Sequence, residues 1–297
     1  MHADITPIRV ALITLDGHLG NTIDRAQTRL RREIPGLSLT MHPACDWGEN
    51  TEAEAACNEA IAKADIIVCT MMFLDAHINQ VLPALQARAP HCDALVGAMS
   101  GTEIVKLTRM GKLTMGGELK GPMGYLKKLR GSKKPGQNSG ASQMKTLKRL
   151  PKILKYIPGT AQDLRAYFIM LQCWLAGSEE NIACMVRTLV QRYAAGEREC
   201  LRKQLKDKPP IDYPENGLYH PRMRASKAGA KRISADLKNL PAIKASTGTV
   251  GVLLLRSYVL ANNTKHYDHV IDTLESRGLK VIPAFASGLD GRPAIVA

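Results

Sequence analysis

The first hundred residues alternate between apolar runs and amphipathic helical patterns. Strand-like runs occupy residues 8–15, 37–42, 65–71 and 93–98, and helical patterns lie between them at 21–33, 51–63 and 76–88. Strands separated by helices of this length predict a parallel, doubly wound sheet with right-handed crossovers. The sequence therefore predicts an α/β fold for the N-terminal part of the chain.

Ligands of such sheets bind at the carboxyl ends of the strands. In this chain those ends carry Asp16-Gly17-His18 and the segments 42–46, 71–73 and 99–102. An acid and an imidazole at Asp16 and His18 are candidate ligand-binding groups. A turn of this kind is more often structural, however: in that interpretation Gly17 is expected to have a positive φ and Asp16 to bond its own backbone.

The pattern changes after residue 155. Helices are predicted at 160–176, 178–195 and 197–206, and residues 211–246 have little periodicity and are interpreted as connecting structure. A second α/β unit then begins, with strands at 249–255 and 279–285 around a helix at 264–277. One such unit cannot bury both faces of its sheet, so it either joins another sheet or belongs to a longer protein.

Positive charge is concentrated in residues 106–155. Fourteen Lys and Arg stand there against one acid, Glu118, in a chain with a formal net charge of +14. Eight glycines are spread through the same segment, which leaves its backbone free to expose N–H groups. The segment is suited to an anionic partner: a nucleic acid, an acidic protein surface or a small ligand with carboxylates or phosphates. The alternative is a solvated loop that keeps the protein soluble.

Aromatic residues weaken the nucleic-acid interpretation. They make up 4% of the chain, and only Tyr125 and Tyr156 fall in or next to the basic segment. Proteins that bind single strands interleave their cations with aromatic stacking platforms. We therefore expect no nucleic-acid partner.

Other features narrow the class of protein. There is no apolar stretch long enough to span a membrane and no signal-peptide pattern, so a cytoplasmic location is expected. Seven cysteines without a C-x-x-C pair predict neither disulfides nor a zinc site. His266 and His269 lie one helical turn apart without a third ligand, which is more typical of exposed helix residues than of a metal site. The sequence contains neither a Walker A loop nor a G-x-G-x-x-G after a strand.

Longer strings in the sequence resemble a known family. VALITLDGHL at 10–19, DIIVCTMMFL at 65–74, SGTE at 100–103 and TRMG at 108–111 are similar to the N-terminal region of the large subunit, the H subunit, of magnesium chelatases. RSYVL at 256–260, with His266 and Tyr267, and VIPAFASGLD at 281–290 resemble the region that this large subunit shares with the cobalt chelatase large subunit. The resemblance covers essentially the whole chain.

The resemblance implies a function in chlorophyll or bacteriochlorophyll biosynthesis. Magnesium chelatases insert Mg²⁺ into protoporphyrin IX at the expense of ATP, the large subunit binds the porphyrin, and subunits I and D form the AAA+ ATPase motor. The expected partners are therefore protoporphyrin IX and subunits I and D, with Mg²⁺ as a substrate, ATP used by the partner subunits and no cofactor bound by this chain. A plastid stroma replaces the cytoplasm if the source has plastids.

The resemblance also predicts the domain organisation. Residues 1–164 are expected to form the N-terminal head domain, and residues 165–297 to begin the chelatase region. Family members are several times longer, so we expect a truncated form or a fragment without activity of its own. The alternative is a non-catalytic module that binds porphyrin or the partner subunits without turnover.

Two propionates of the porphyrin are candidate partners for the basic segment. Arg and Lys side chains can pair with them, and the predicted binding residues are Arg109, Lys112, Lys120, Lys127 and Lys128. The sequence assigns no catalytic residue and no metal ligand.

Overall fold

A computed structural model describes residues 5–48, 50–116, 149–226, 229–242, 246–287 and 291–296. The helices of this part of the chain are α1 (Gly20–Leu30), α2 (Thr51–Lys63), α3 (Asp75–Arg88), α4 (Thr102–Lys106), α5 (Thr160–Ala176), α6 (Glu179–Tyr193), α7 (Glu199–Gln204), α8 (Arg256–Leu260), α9 (Lys265–Ser276) and α10 (Arg292–Val296). Its strands are β1 (Ile8–Thr14), β2 (Leu37–Pro43), β3 (Ile66–Thr70), β4 (Ala94–Ala98), β5 (Arg109–Met110), β6 (Leu113–Thr114), β7 (Asn216–Tyr219), β8 (Ile233–Ser234), β9 (Gly248–Leu255) and β10 (Leu279–Ala286).

The first six strands form one sheet in the order β2-β1-β3-β4-β5-β6. Strands β1 to β4 are parallel, and the short strands β5 and β6 add antiparallel at one edge. The chain adds β2 on one side of β1 and then β3 and β4 on the other side, so the strand order reverses between β1 and β3, as in a doubly wound sheet. The predicted α/β fold class is confirmed, and four of the predicted strands match β1 to β4 to within a few residues.

Alternate residues of the strands face two separate cores. On one face Val10 and Leu12 pack with apolar side chains of α1, α5 and α6. On the other face Ala11 and Ile13 pack with α2 and α3. Because both faces are covered, the central strands are buried along nearly their whole length, and burial of this apolar surface is the main stabilising contribution to the fold.

The hairpin of α5 and α6 is fixed by local sequence signals. Gly177 ends α5 in the left-handed conformation, with φ of 62°, and Ser178 caps α6 by accepting a hydrogen bond from the backbone N–H of Asn181. The predicted domain boundary between residues 164 and 165 falls inside α5, which packs as one helix on the first sheet.

The second sheet has the order β8-β7-β10-β9. Strands β9 and β10 are parallel and are connected by α8 and α9, whose buried side chains cover one face. Leu253 and Leu255 of β9 are about half exposed on the other face. The expectation that residues 211–246 lack regular structure is wrong: β7 pairs antiparallel with β10, and β8 pairs with β7. These strands have only four and two residues, too few for a periodic pattern.

Contacts join the two sheets. The hydroxyl of Thr22 and the guanidinium of Arg25, both on α1, donate hydrogen bonds to the carbonyl oxygen of Ala261, each at 2.8 Å. The side-chain amide of Asn263 donates to the carbonyl oxygen of His18 at 3.3 Å. The loop after α8 is therefore fastened to the start of α1.

Candidate functional site

A cavity of about 850 Å³ opens beside the turn between β5 and β6. Its walls are Gly111 and Lys112 of that turn, one side of α5, the C-terminal half of α6 and the segment through α7 to Asp207. We call it the α5–α6 cavity. Its volume lies in the range of about 300–1,000 Å³ that is typical of small-molecule sites.

Asp163 of α5 connects the walls of the α5–α6 cavity through its side-chain contacts. Its carboxylate accepts hydrogen bonds from the backbone N–H of Lys112 at 3.0 Å and from the hydroxyl of Tyr193 at 3.1 Å. The guanidinium of Arg192 lies 3.8 Å from the same carboxylate. The side chain of Asp163 is 13% exposed, so three elements are connected through one nearly buried acid. Burial, followed by the nearby charge of Asp163, raises the pKa of Tyr193.

Five positive and four negative side chains line this cavity. Lys112, Arg165, Arg192, Arg202 and Lys203 line it, together with the acids Asp93, Asp163, Glu199 and Asp207. Three of the acids have positive partners: Asp163 pairs with Arg192, Glu199 lies 3.4 Å from Arg202, and Asp93 accepts two hydrogen bonds from Arg198, both at 3.0 Å. Lys112 and Lys203 are exposed and have no ion pair among the described residues. Their ammonium groups are suited to pair with carboxylates from solution.

The predicted binding residues separate in the structure. Lys112 lies at the cavity, and its predicted role remains a prediction. Arg109 is on β5, and its guanidinium donates to the carbonyl oxygen of Cys92 at 2.5 Å rather than facing the cavity. Lys120, Lys127 and Lys128 lie outside the described residues.

Asp163, Arg192 and Tyr193 were missed by sequence reasoning. Asp163 is the acid of the first turn of α5, where an acid is usually explained by the helix dipole. Its partners are 51 and 30 residues away in the chain. A local pattern contains no signal for such contacts.

The Asp16–His18 pair is present at the carboxyl end of β1. The Asp16 carboxylate accepts a hydrogen bond from the backbone N–H of His18 at 3.1 Å, as expected for a structural turn, but the expectation of a positive φ at Gly17 is wrong. The two side chains form a hydrogen bond, and the His18 ring stacks on Tyr258 at a centroid distance of 5.4 Å. Tyr258 in turn meets His266 edge to face at 5.4 Å. These contacts place the pair at the junction of the two sheets.

Met71 and Met99 follow the neighbouring strands β3 and β4 at the same edge, with φ of 63° and 48°. Positive φ is unfavourable for such side chains. It persists here because the loops are tied together: the backbone N–H of Met72 donates to the Ser100 hydroxyl at 3.1 Å, and that of Gly101 donates to the Met72 carbonyl at 2.8 Å.

The described residues contain no group of three or more His, Cys, Asp or Glu side chains arranged to hold a metal ion. His266 packs on Tyr267 at a centroid distance of 3.9 Å. All seven cysteines are free thiols. In the described part of the chain no helix combines the length and apolar character needed to cross a membrane.

Two family models together match nearly the whole chain. Residues 9–168 match a family described as a domain of unknown function (DUF3479), and residues 171–297 match CobN/Magnesium Chelatase. The magnesium-chelatase H subunit of Cereibacter sphaeroides is 49% identical over 286 residues, which is 96% of this chain and 23% of that protein. The chain belongs to the family of magnesium-chelatase H subunits. The corresponding H subunit of Rhodobacter capsulatus is 47% identical over the same shares of both chains.

More distant similarities also cover nearly all of this chain and a small part of the other protein. The chloroplastic magnesium-chelatase subunit ChlH of Oryza sativa is 26% identical over 95% of this chain and 21% of that protein. The catalytic subunit of cobaltochelatase from Mycobacterium tuberculosis has a TM-score of 0.41 at 14% identity, over 96% of this chain and 16% of that chain, a likeness too low to carry an argument. The chain thus spans about a quarter of the length of the H-subunit relatives it matches.

Gly111 is required by the turn that carries Lys112. Its φ is +57°, and a Cβ at this position would lie 2.9 Å from a carboxylate oxygen of Asp163. We expect Gly111→Ala to lower the free energy of unfolding by about 1–3 kcal/mol, from the left-handed conformation and the close contact together. Urea unfolding measures this. Gly48→Ala is the control, because a Cβ there meets nothing within 4 Å, and equal effects of the two changes would contradict the explanation.

Proposed function

We propose that this chain is the N-terminal part of the porphyrin-binding large subunit of an ATP-dependent magnesium chelatase. The observation that carries the proposal is the 49% identity to a magnesium-chelatase H subunit over 96% of the chain. In this proposal protoporphyrin IX and Mg²⁺ are the substrates, and the product belongs to chlorophyll or bacteriochlorophyll biosynthesis. Subunits I and D hydrolyse the ATP.

The chemistry explains why a motor accompanies the binding subunit. Mg²⁺ gives up its water reluctantly and prefers oxygen ligands in octahedral geometry. Its transfer into a ring of four nitrogens is therefore unfavourable at the start. A large subunit that holds the porphyrin in a fixed orientation leaves the motor to drive the metal transfer.

The part of this chain in that reaction is to hold porphyrin carboxylates. Lys112 and Lys203 line the α5–α6 cavity and have no ion pair among the described residues, and Asp163 accepts a hydrogen bond from the backbone of the turn that carries Lys112. A propionate placed between the two lysines gains charge-assisted hydrogen bonds. The chain contributes binding and orientation, and we place turnover in the complete large subunit together with subunits I and D.

Titration of the purified chain with a water-soluble protoporphyrin analogue tests this role. We expect saturable binding, followed by the absorbance of the porphyrin, and a loss of affinity of about tenfold in the double variant Lys112→Glu/Lys203→Glu, which places negative charges opposite the propionates. The matched control is Lys265→Glu/Lys280→Glu, two exposed lysines of the second sheet and its helix. Unchanged affinity in the Lys112/Lys203 variant would remove the cavity from the porphyrin site.

A further inference from the structure

Residues 149–157 present apolar side chains to solvent between cations. Ile153, Tyr156 and Ile157 are 61%, 82% and 45% exposed, and Arg149, Lys152 and Lys155 are exposed beside them. Pro151 and Leu154 point inward and are buried. We call this segment the 149–157 platform. Contiguous exposed apolar groups of this kind mark interaction sites more often than ordinary surface.

The platform is held rigidly by α5. The side-chain amide nitrogen of Gln162, which has two N–H donors, lies within hydrogen-bonding distance of three of its carbonyl oxygens: Leu154 at 2.9 Å, Lys155 at 3.1 Å and Ile157 at 2.5 Å. Arg165 donates to the carbonyl oxygen of Pro151 at 3.2 Å. The exposed side chains are therefore displayed from a fixed backbone, which reduces the entropy lost on binding a partner.

A groove of about 520 Å³ runs alongside the platform. Lys152, Lys155 and Tyr156 of the platform line it together with Pro209, Pro210 and Ile211. Ile169, Leu175 and Ala176 contribute apolar surface from α5. The groove thus offers an apolar interior next to the exposed platform residues.

The charge around the groove is asymmetric. No acid occurs between residues 149 and 162, and the platform cations have no ion pair among the residues that the structure describes. The acids that line the groove, Asp212 and Glu215, both act electrostatically on Arg256. Arg256 is itself held by the carbonyl oxygens of Pro214 and Tyr213. The platform side is therefore the cationic side.

We propose that the 149–157 platform and its groove form a docking surface for an acidic segment of a partner protein that carries large apolar side chains. The apolar side chains of the partner fill the groove and cover Ile153 and Tyr156, and its carboxylates pair with Lys152 and Lys155. The groove favours a peptide segment over a lipid surface, because a peptide can insert side chains into a groove lined by Pro209 and Pro210, whereas a bilayer covers protruding side chains.

Binding to immobilised short peptides tests the surface. Three arrays are compared: peptides that combine acidic and large apolar residues, peptides with acidic residues only, and peptides with apolar residues only. We expect the chain to retain members of the combined array. We expect the double variants Ile153→Ser/Tyr156→Ser and Lys152→Glu/Lys155→Glu each to weaken that binding about tenfold or more, as for residues at the centre of an interface.

Control variants distinguish binding at this surface from effects of net charge and from nonspecific hydrophobic binding. Lys265→Glu/Lys280→Glu changes the net charge equally, and Phe73→Ser removes another exposed apolar side chain, which is 53% exposed; both are expected to bind like the wild type. The proposal is overturned if no combined peptide is retained, or if the platform variants bind as well as the wild type. Binding to vesicles of phosphatidylglycerol and phosphatidylcholine is measured as well. The proposal is also overturned if the platform variants lose binding to these vesicles but still bind the combined peptides. The porphyrin titration above does not depend on any of these results.

Discussion

Replacing Glu33 with alanine is expected to lower the free energy of unfolding by about 2–4 kcal/mol. Glu33 follows α1 and binds Arg187 of α6 through two hydrogen bonds, at 2.9 and 2.7 Å, while Lys208 donates to it at 3.1 Å. The side chain of Arg187 is only 4% exposed. The change leaves a buried guanidinium without its partner, and the effect stays below that of a fully buried pair because Glu33 itself is 31% exposed.

The same pair predicts a dependence on pH. The hydrogen bonds from Arg187, with a smaller contribution from Lys208, lower the pKa of Glu33 from 4.5 to about 2. Because this pKa is lower in the folded state, the stabilisation is complete above about pH 4.5 and is lost as the pH falls toward 2. Urea unfolding of wild type and Glu33→Ala should therefore show a difference that narrows as the pH is lowered through this range.

Glu59→Ala is the matched control. Glu59 also pairs with a lysine, Lys63, but both side chains are more than 60% exposed. Exposed pairs contribute little to stability, so this variant should unfold like the wild type. A Glu33→Ala protein as stable as the control, or a difference that does not change below pH 4.5, would contradict the role given to Arg187 and Glu33.

Strands β1 to β4 of the first sheet were predictable because their signals are local, whereas the two-residue strands β5 and β6 were not predicted. Buried parallel strands have continuous apolar runs, and the helices between them have their own period and caps. The prediction of α2 at residues 51–63 matches the observed helix. Its N-cap is Asn50, whose side chain accepts a hydrogen bond from the backbone N–H of Ala53 at 3.0 Å. The capping residue thus directly precedes the helix in the sequence.

The short strands of the second sheet depend on partners far away in the chain. Leu218 of β7 pairs with Ala284 of β10, and Tyr219 pairs with Ile233 of β8. Gly217 also lies against the Phe285 ring, where a Cβ would approach within 3.0 Å. Nothing in the sequence around residue 217 indicates these neighbours, so the strands become visible only when the sheet is assembled.

The candidate site likewise combines a feature that the sequence indicates with one that depends on tertiary packing. The density of Lys and Arg pointed to the region of Lys112, since charge can be counted without knowing the fold. The α5–α6 cavity itself arises from tertiary packing of α5, α6 and α7. Arg109 illustrates the limit: it belongs to the same charged segment, yet its position in β5 directs its guanidinium to the backbone of Cys92.

Replacing Asp163 with alanine is expected to destabilise the protein by about 2–4 kcal/mol and to release the turn at Lys112. The change removes the acceptor of the Lys112 N–H and of the Tyr193 hydroxyl. It also leaves Arg192 without its carboxylate, although the Nε of that guanidinium is already buried without a hydrogen-bond partner among the described residues. The hydroxyl of the buried Tyr193 loses its acceptor, and Arg192 and the Lys112 N–H lose theirs at the same time, which is why the expected effect is large.

Two measurements distinguish this local role from general destabilisation. Hydrogen exchange at the Lys112 amide should become faster in Asp163→Ala under conditions where the rest of the first sheet stays protected, because that amide loses its acceptor. Asp163→Asn keeps an oxygen acceptor without the charge, so it should restore most of the protection while Arg192 remains unpaired. Asp24→Ala, at an exposed acid of α1, is the control for removal of a surface charge. If Asp163→Ala left both stability and Lys112 exchange unchanged, the turn would have to be held by other contacts, and Lys112 would lose its fixed position at the cavity.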